Sequence, residues 1–477
     1  MRIAYLTAGA AGMYCGSCMH DNALARALIA RGADCLLLPV YTPIRTDERD
    51  VSADRVFFGG INVFLQQKAP WLGRLPGPLQ RFLDAPWLLR LATRRAAATS
   101  PAMLGELTVS MLRGSEGHQA GEVQRLVRWL TDEFRPDAIV LSNLLIAGCV
   151  PAIRRAMDVP IVSWLQGDDI FIEYLTEPHK TQALELLAEV AAATDACLTN
   201  SRFYAQKMQG LLKLSDDRMR LVPLAIDVAP FAAAPSAVAP SAVAPSAVAA
   251  PSPLPTIAHE GSEFPAGSRQ VEESDPAFRI GYLARLAPEK GFHHLVEAFI
   301  EFAKRPGGQR AELHYAGWLG NQHRAYFRAA QHRLDAAGLG DRHHYHGSPS
   351  LEEKLSFLRH NHVLCVPTVY EEPKGLFVLE ALAAGVPVIQ PNHGAFPELL
   401  ASTGGGLLVP PGDLLALADA FESLSADRPH CTALGRTGCQ NVHRNHTIEA
   451  QAERVERILQ SLRSPRALHP PPGRVGL

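Results

Sequence analysis

No run of the chain reaches 18 uninterrupted apolar residues, the length a helix needs to cross a bilayer, so no transmembrane helix is expected. Net charge is nearly absent: Lys+Arg 46 against Asp+Glu 48 leave a formal −2, and no global field recruits nucleic acid. Cysteine is sparse. The 8 in 477 residues are scattered, several inside apolar strand-like runs, as reduced core thiols of a cytoplasmic protein would be. The pair Cys15 and Cys18 has no second C-x-x-C to complete a tetrahedral zinc site. Also missing is the G-x-G-x-x-G spacing of a dinucleotide loop, and the second strand run ends in Pro39-Val40-Tyr41 without a carboxylate to hold a ribose.

What is present describes a globular protein of more than one core. A length of 477 residues suits two domains plus extras, and 47% hydrophobic residues suit soluble α/β packing. The opening MRIAYLTAGAAGM has one Arg and runs straight into strand–loop–helix patterning, so it reads as a first strand rather than a signal peptide. Gly9, Gly12 and Gly16 stock the following loop, where backbone N–H groups could approach a phosphate or sugar. The CGSC pair at that helix start also fits a thioredoxin-like dithiol, and this redox reading stands beside the binding-loop one.

Residues 70–95 set Trp71 and Trp87 among Arg74, Arg81, Arg90, Arg94 and Arg95. Two readings fit: contact with an anionic membrane surface, or short helices packed on the domain with arginines snorkelling outward. From 121 to 200 helix and strand patterns alternate as in a parallel sheet, with polar strand tips at Ser142-Asn143, Gln166-Gly167-Asp168-Asp169 and Asn200-Ser201. Ligands of open α/β sheets bind beyond the carboxyl ends of strands, which makes Gln166, Asp168 and, behind it, Asp21 candidate ligand contacts. After residue 233, APSAV repeats three times and a polar stretch runs to Asp275; such composition cannot bury enough apolar area to order itself. The histidines at 293, 294, 343, 344 and 346 lack ligand spacing within one element, so no metal site is assigned.

The most informative stretch is YEEPKGLFVLEALAAG, residues 370–385. Its helix is apolar except for Glu380, and a helix apolar all round is normally buried. A carboxylate there needs donors, and none lies one turn away on the same helix. A ligand is one candidate donor, and a salt bridge to another element is the other. Gly375 opens the helix, lets a ligand approach the backbone, and exposes N–H groups that attract an anion such as a diphosphate. Gly385 closes it. Lys290 stands at another helix start, against the dipole, where a bound anion would reverse the sign.

The run EPKGLFVLEALAAGVPVI resembles the signature of family-4 retaining glycosyltransferases of the GT-B fold, in which two glutamates separated by seven residues lead into a small-residue helix and a G-x-P-V strand. The resemblance implies two Rossmann-like, doubly wound domains facing across a cleft: 1–228 on the acceptor side, a hinge with the repeat insertion at 229–277, a nucleotide-sugar domain at 278–462 whose last helix crosses back to the first, and a loose tail at 463–477. It implies transfer of a sugar from a UDP-, GDP- or ADP-sugar to a sugar or lipid-linked acceptor, with retention and without metal or cofactor. Arg285 and Lys290 would hold the diphosphate, Glu372 would face the sugar and Glu380 the ribose. The backbone at Gly375, Leu376 and Phe377, with Gly347 and Gly12, would complete the donor site. Glu372, Arg285, Lys290 and Asp168 are the catalytic candidates, with Gln166, Asp168 and Asp21 on the acceptor side. Gln166 stands where many members have histidine, Leu224-Ala225 where Asn-Gly is usual, Ala395 where a second Gly is usual, and Lys374 where Phe is common. The location implied is cytoplasmic, with inner-face membrane contact tied to residues 70–95. Two other classes stay open: a redox enzyme using the CGSC loop, and a non-catalytic GT-B scaffold.

Overall fold

A computed structural model describes residues 1–9, 16–44, 46, 48–53, 101–232 and 277–463. Gly12, Cys15, residues 70–95, the APSAV insertion and the tail from 464 lie outside them. The chain divides into two compact units, Met1–Asp227 with His446–Leu477, and Val228–Asn445. The range 278–462 is thus split: its last helix belongs with the first unit.

In the first unit the strands β1 (Arg2–Thr7), β2 (Asp34–Pro39), β3 (Ala138–Leu141), β4 (Ile161–Trp164), β5 (Ala196–Thr199) and β6 (Met219–Leu221) form one sheet in the order β2-β1-β3-β4-β5-β6. All its pairs are parallel. Successive side chains of a strand point to opposite faces. Ala4, Leu6, Ile139 and Leu141 therefore enter one core and Ile3, Tyr5, Ala138 and Val140 another. This is why these strands read as unbroken apolar runs. Helices α1 (Gly16–Ala30), α2 (Pro101–Leu112), α3 (Ala120–Arg128), α4 (Val150–Ala156), α5 (Asp168–Glu173), α6 (His179–Ala193) and α7 (Arg202–Leu212) accompany the strands.

The second unit opens with the short helix α8 (Ala229–Ala232), and its sheet has the order β12-β11-β10-β7-β8-β9. These strands are β7 (Arg279–Leu283), β8 (Glu312–Ala316), β9 (His343–Tyr345), β10 (Val363–Cys365), β11 (Val388–Pro391) and β12 (Gly406–Val409). Between them run α9 (Phe292–Ala303), α10 (Arg324–Ala336), α11 (Leu351–His360), α12 (Leu376–Ala383) and α13 (Phe396–Thr403), followed by α14 (Leu414–Ala426) and α15 (Arg428–Asn445). Because β7 pairs with β8 on one side and β10 on the other, strand order reverses between β7 and β10. That reversal opens a crevice at their carboxyl ends, the usual ligand position in doubly wound sheets.

Helix α16 (Ile448–Arg463) returns to the first unit, burying Ile448, Ala452, Val455 and Leu459 in the core that also holds Leu24 and Leu28 of α1. Among the described residues no helix is long and apolar enough to cross a membrane.

Candidate active site at the β7–β10 switch point

The turn after β7 and the loop after β10 meet at the reversal. Lys290 ends a short 3-10 turn, Pro288–Lys290, and Gly291 then starts α9. The Lys290 Nζ donates to Glu372 Oε2 at 2.6 Å and to the Tyr370 hydroxyl at 2.6 Å. The side chains of Lys290 and Glu372 are only 13% and 8% exposed. Tyr370 also donates to Glu372 Oε2, and the backbone N–H of Lys374 reaches Oε1 at 3.4 Å. Burial pushes the Glu372 carboxyl up, but the Lys290 charge and the hydrogen bonds from Lys290, Tyr370 and Lys374 outweigh it and hold the group below the usual glutamate range. Burial, then the Glu372 charge, push the Tyr370 phenol far up. The site therefore holds an ionised carboxylate, an ammonium and a neutral phenol.

Arg285 lies on the same turn, 47% exposed, with its Nη2 3.1 Å from Glu289 Oε1. That ion pair joins two residues four apart in sequence at the surface. The Arg285 charge nevertheless reaches Tyr370, where it works against the upward shift that burial and Glu372 impose. The Lys290 ammonium also lies 5.7 Å from the Phe377 ring centre, so the start of α12 stands beside it. Gly375 caps that helix at φ 80 and ψ 45 and supplies no side-chain acceptor. The first N–H groups of α12, those of Leu376 and Phe377 included, thus have no intrahelical partner.

The loop carrying Glu372 is fixed from the far side. Ala395 N–H donates to the Glu372 carbonyl at 2.8 Å. Gly394, at φ 61, comes so close that a Cβ there would lie 2.6 Å from that same oxygen.

Glu380 is placed one turn further along α12, where a salt bridge to another element meets it. Lys354 Nζ of α11 donates to Glu380 Oε1 at 2.8 Å, with the two side chains 8% and 13% exposed. A signal for this partner was present: Lys354 precedes the buried Phe357 and Leu358 by three and four residues and so shares their inward face. Tyr370 gives no signal in the sequence, because a tyrosine in a loop carries no periodicity. Gly347, at φ 69, lies past the end of β9, two strands out from β7, where its carbonyl accepts from Gly317 N–H at 2.7 Å.

The candidates of the first unit are brought together, but as structural groups. Asp21 is fully buried and accepts from the hydroxyls of Tyr5 and Thr7, both at 2.8 Å, and from Gln166 Nε2 at 3.1 Å. Gln166 also donates to the Ser142 carbonyl at 2.6 Å. Asp168, 2% exposed, takes the N–H of Leu144 at 2.8 Å and of Gln166 at 3.0 Å. Burial raises its pKa to about 6 against those hydrogen bonds. Asp169 is tied to the Tyr204 hydroxyl at 2.6 Å and to Lys207 at 2.9 Å. These carboxylates join the tips of β1, β3 and β4 and do not present a free base. Cys18 is 2% exposed, which does not suit a reactive dithiol.

Comparison with known proteins adds to this geometry. Residues 265–441 match the model of the family described as glycosyl transferases group 1. Over 193 residues the chain is 32% identical to the lipopolysaccharide core biosynthesis mannosyltransferase LpsB of Rhizobium meliloti, covering 39% of this chain and 53% of that protein. Over 94 residues it is 37% identical to the phosphatidyl-myo-inositol mannosyltransferase of Mycobacterium leprae, covering 20% of this chain and 25% of that one. The chain thus spans about half or less of the length of these relatives. Among solved structures, a sucrose-phosphate synthase from Thermosynechococcus elongatus aligns with a TM-score of 0.65 over 97% of this chain and 99% of that one at 18% identity. Anabaena HepE in complex with UDP aligns with a TM-score of 0.62 over 97% and 100% at 15% identity. The fold is therefore of the GT-B type, with two Rossmann-like units.

Proposed function

We propose that the chain is a glycosyltransferase that moves a hexose from a nucleotide-sugar donor to an acceptor hydroxyl, with retention and in the manner of family-4 enzymes. The observation that carries this reading is the buried Lys290–Glu372 pair beside the uncapped start of α12, at the point where strand order reverses. A diphosphate seated there would meet the Lys290 ammonium, the Arg285 guanidinium and the first N–H groups of α12. Together these would neutralise the charge that develops on the departing nucleotide, the work a metal ion does elsewhere. Glu372, held ionised, would accept a hydroxyl of the transferred sugar. Glu380, one turn on, keeps lone pairs beyond the one Lys354 uses and would accept ribose hydroxyls.

The mannosyltransferase names among the relatives and the UDP in the HepE complex agree with a nucleotide-sugar donor. A sugar or lipid-linked acceptor fits the same names, and inner-face contact through the arginine- and tryptophan-bearing residues 70–95 would suit a lipid-linked one. Asp168 is assigned no catalytic role; it shapes the strand tips.

The test is a thermal-shift panel of UDP-, GDP- and ADP-sugars on the full chain, followed by anomeric analysis of the product. A ligand that binds the folded form alone stabilises it by mass action. One nucleotide class should raise the melting temperature of the wild type and leave Lys290→Ala unmoved. No shift with any donor at millimolar excess, or an equal shift in Lys290→Ala, would overturn the assignment.

A further inference from the structure

The edge strand β9 of the second unit and its neighbour β8 carry a group of side chains that the donor site leaves unused. β8 and β9 run parallel with His314 opposite His344, and residues two apart on a strand share a face. Glu312, His314 and His344 therefore project together. His314 Nε2 lies 3.1 Å from Glu312 Oε2, and its Nδ1 lies 3.0 Å from His346 Nε2. The rings of His314 and His344 are centred 4.8 Å apart, and His360 at the end of α11 meets His314 edge-on at 4.9 Å. One ligand atom each from Glu312, His314 and His344 fall within 4.8 Å of one another.

We propose that Glu312, His314 and His344 bind one divalent metal ion of the zinc class, which ties the three-residue edge strand β9 to β8. Zinc takes imidazole nitrogen and carboxylate oxygen at about 2.0–2.2 Å, which sets ligand atoms roughly 3.4 Å apart in a tetrahedron. Glu312 and His314 already stand near that spacing, and a turn of the His344 ring closes the third side. Water completes the fourth position, since the Glu312 side chain is 33% exposed while that of His314 is 6% exposed. His346, on the other nitrogen of His314, occupies the place of an outer group that fixes a ligand's tautomer and ring plane. Mixed imidazole and carboxylate donors favour zinc, copper or nickel over magnesium.

The test uses the full chain, stripped with chelator and titrated with Zn2+ against a chromophoric competitor. The wild type should take up one equivalent with micromolar affinity or better and should not exchange it for Mg2+. His344→Ala and Glu312→Gln should each weaken binding by about tenfold or more, the scale on which metal sites respond to loss of supporting groups. His294→Ala, at a separate histidine, should leave it unchanged. Co2+ should give the visible absorption of a four-coordinate site in the wild type and His294→Ala but not in His344→Ala or Glu312→Gln. In chelator, all variants should melt with the wild type, and Zn2+ should raise only wild type and His294→Ala. Should His344→Ala fail to fold, the half-exposed Glu312→Gln decides alone. Absence of uptake at micromolar Zn2+, or equal affinity in wild type and Glu312→Gln, would sink the site. Because the readout is metal uptake and not transfer, it stands apart from the donor-site test.

Discussion

Lys290 and Glu372, 82 residues apart in sequence, share a 2.6 Å hydrogen-bonded ion pair across the β7–β10 crevice. Both belong to loops whose parent strands are neighbours in the sheet, so the pairing follows from strand order. A buried pair of this kind adds little stability over apolar packing, yet breaking it strands a charge. Removing the Lys290 ammonium should therefore cost about 3 kcal/mol in urea unfolding and lower transfer by about 10²–10³-fold, the scale of losing one electrostatic contact to a transition state. Glu372→Gln should depress transfer comparably with a smaller stability loss. Retention of full transfer by either variant would contradict the assignment.

Tyr370→Phe isolates the third member. It deletes one hydrogen bond to an ionised carboxylate and leaves Lys290 in place. Stability should drop by about 1.5–3 kcal/mol. The Glu372 carboxyl should also titrate higher, so transfer should fall off at a higher pH on the acid side than in wild type. An unchanged acid limb would show that the phenol does not tune Glu372.

Lys354 and Glu380 make a second buried pair whose role separates cleanly from the first. Lys354→Met should destabilise by about 3 kcal/mol because Glu380 is left uncompensated. Adding Glu380→Gln should restore most of that loss, since both charges are then gone. Additive losses in the double variant, measured by chemical denaturation, would deny the coupling.

Gly394→Ala tests the clamp behind Glu372. The new Cβ would meet Glu372 backbone atoms at 2.6 and 2.7 Å, and the backbone there, at φ 61, suits few side chains. The loop must shift, at about 1–3 kcal/mol. Transfer should fall more than stability implies, because the displaced residue is the one proposed to face the sugar. A variant with wild-type activity would show that the loop yields without moving the carboxylate.

Asp168 predicts a pH dependence. Its folded pKa, raised to about 6 by burial, exceeds the unfolded value, so it favours the fold when protonated. That contribution is complete below about pH 4 and is lost as pH rises through about 6, by at most about 3 kcal/mol. The stability of wild type relative to Asp168→Asn should accordingly decline between pH 4 and 7 and then level off. A flat difference across that window would mean that Asp168 titrates in the ordinary carboxylate range.

Legibility in the sequence followed the physics of each feature. Parallel strands buried on both faces show as apolar runs, so Ile3 to Leu6 and Ala138 to Leu141 were readable without coordinates. Glycine at a helix entrance or exit is a local requirement, and Gly375 and Gly385 could be placed for that reason. Pairings across elements are set by strand order and register, which composition does not encode. Hence Lys354 as the partner of Glu380, and Glu312 beside His314 and His344, emerge only in three dimensions. The partners of the first unit's acids are hidden for a related reason: Asp21 and Asp168 look like free polar tips until Tyr5, Thr7 and the Leu144 N–H are seen to bond them.

The bond from Lys354 to Glu380 bears on how the molecule fares between encounters with its substrate. With that acid already matched by a lysine of its own, the second unit can mature, accumulate and wait without cargo. A nucleotide bound as proposed would strengthen a framework whose buried acid is already paired, and would not be needed as a scaffold for it.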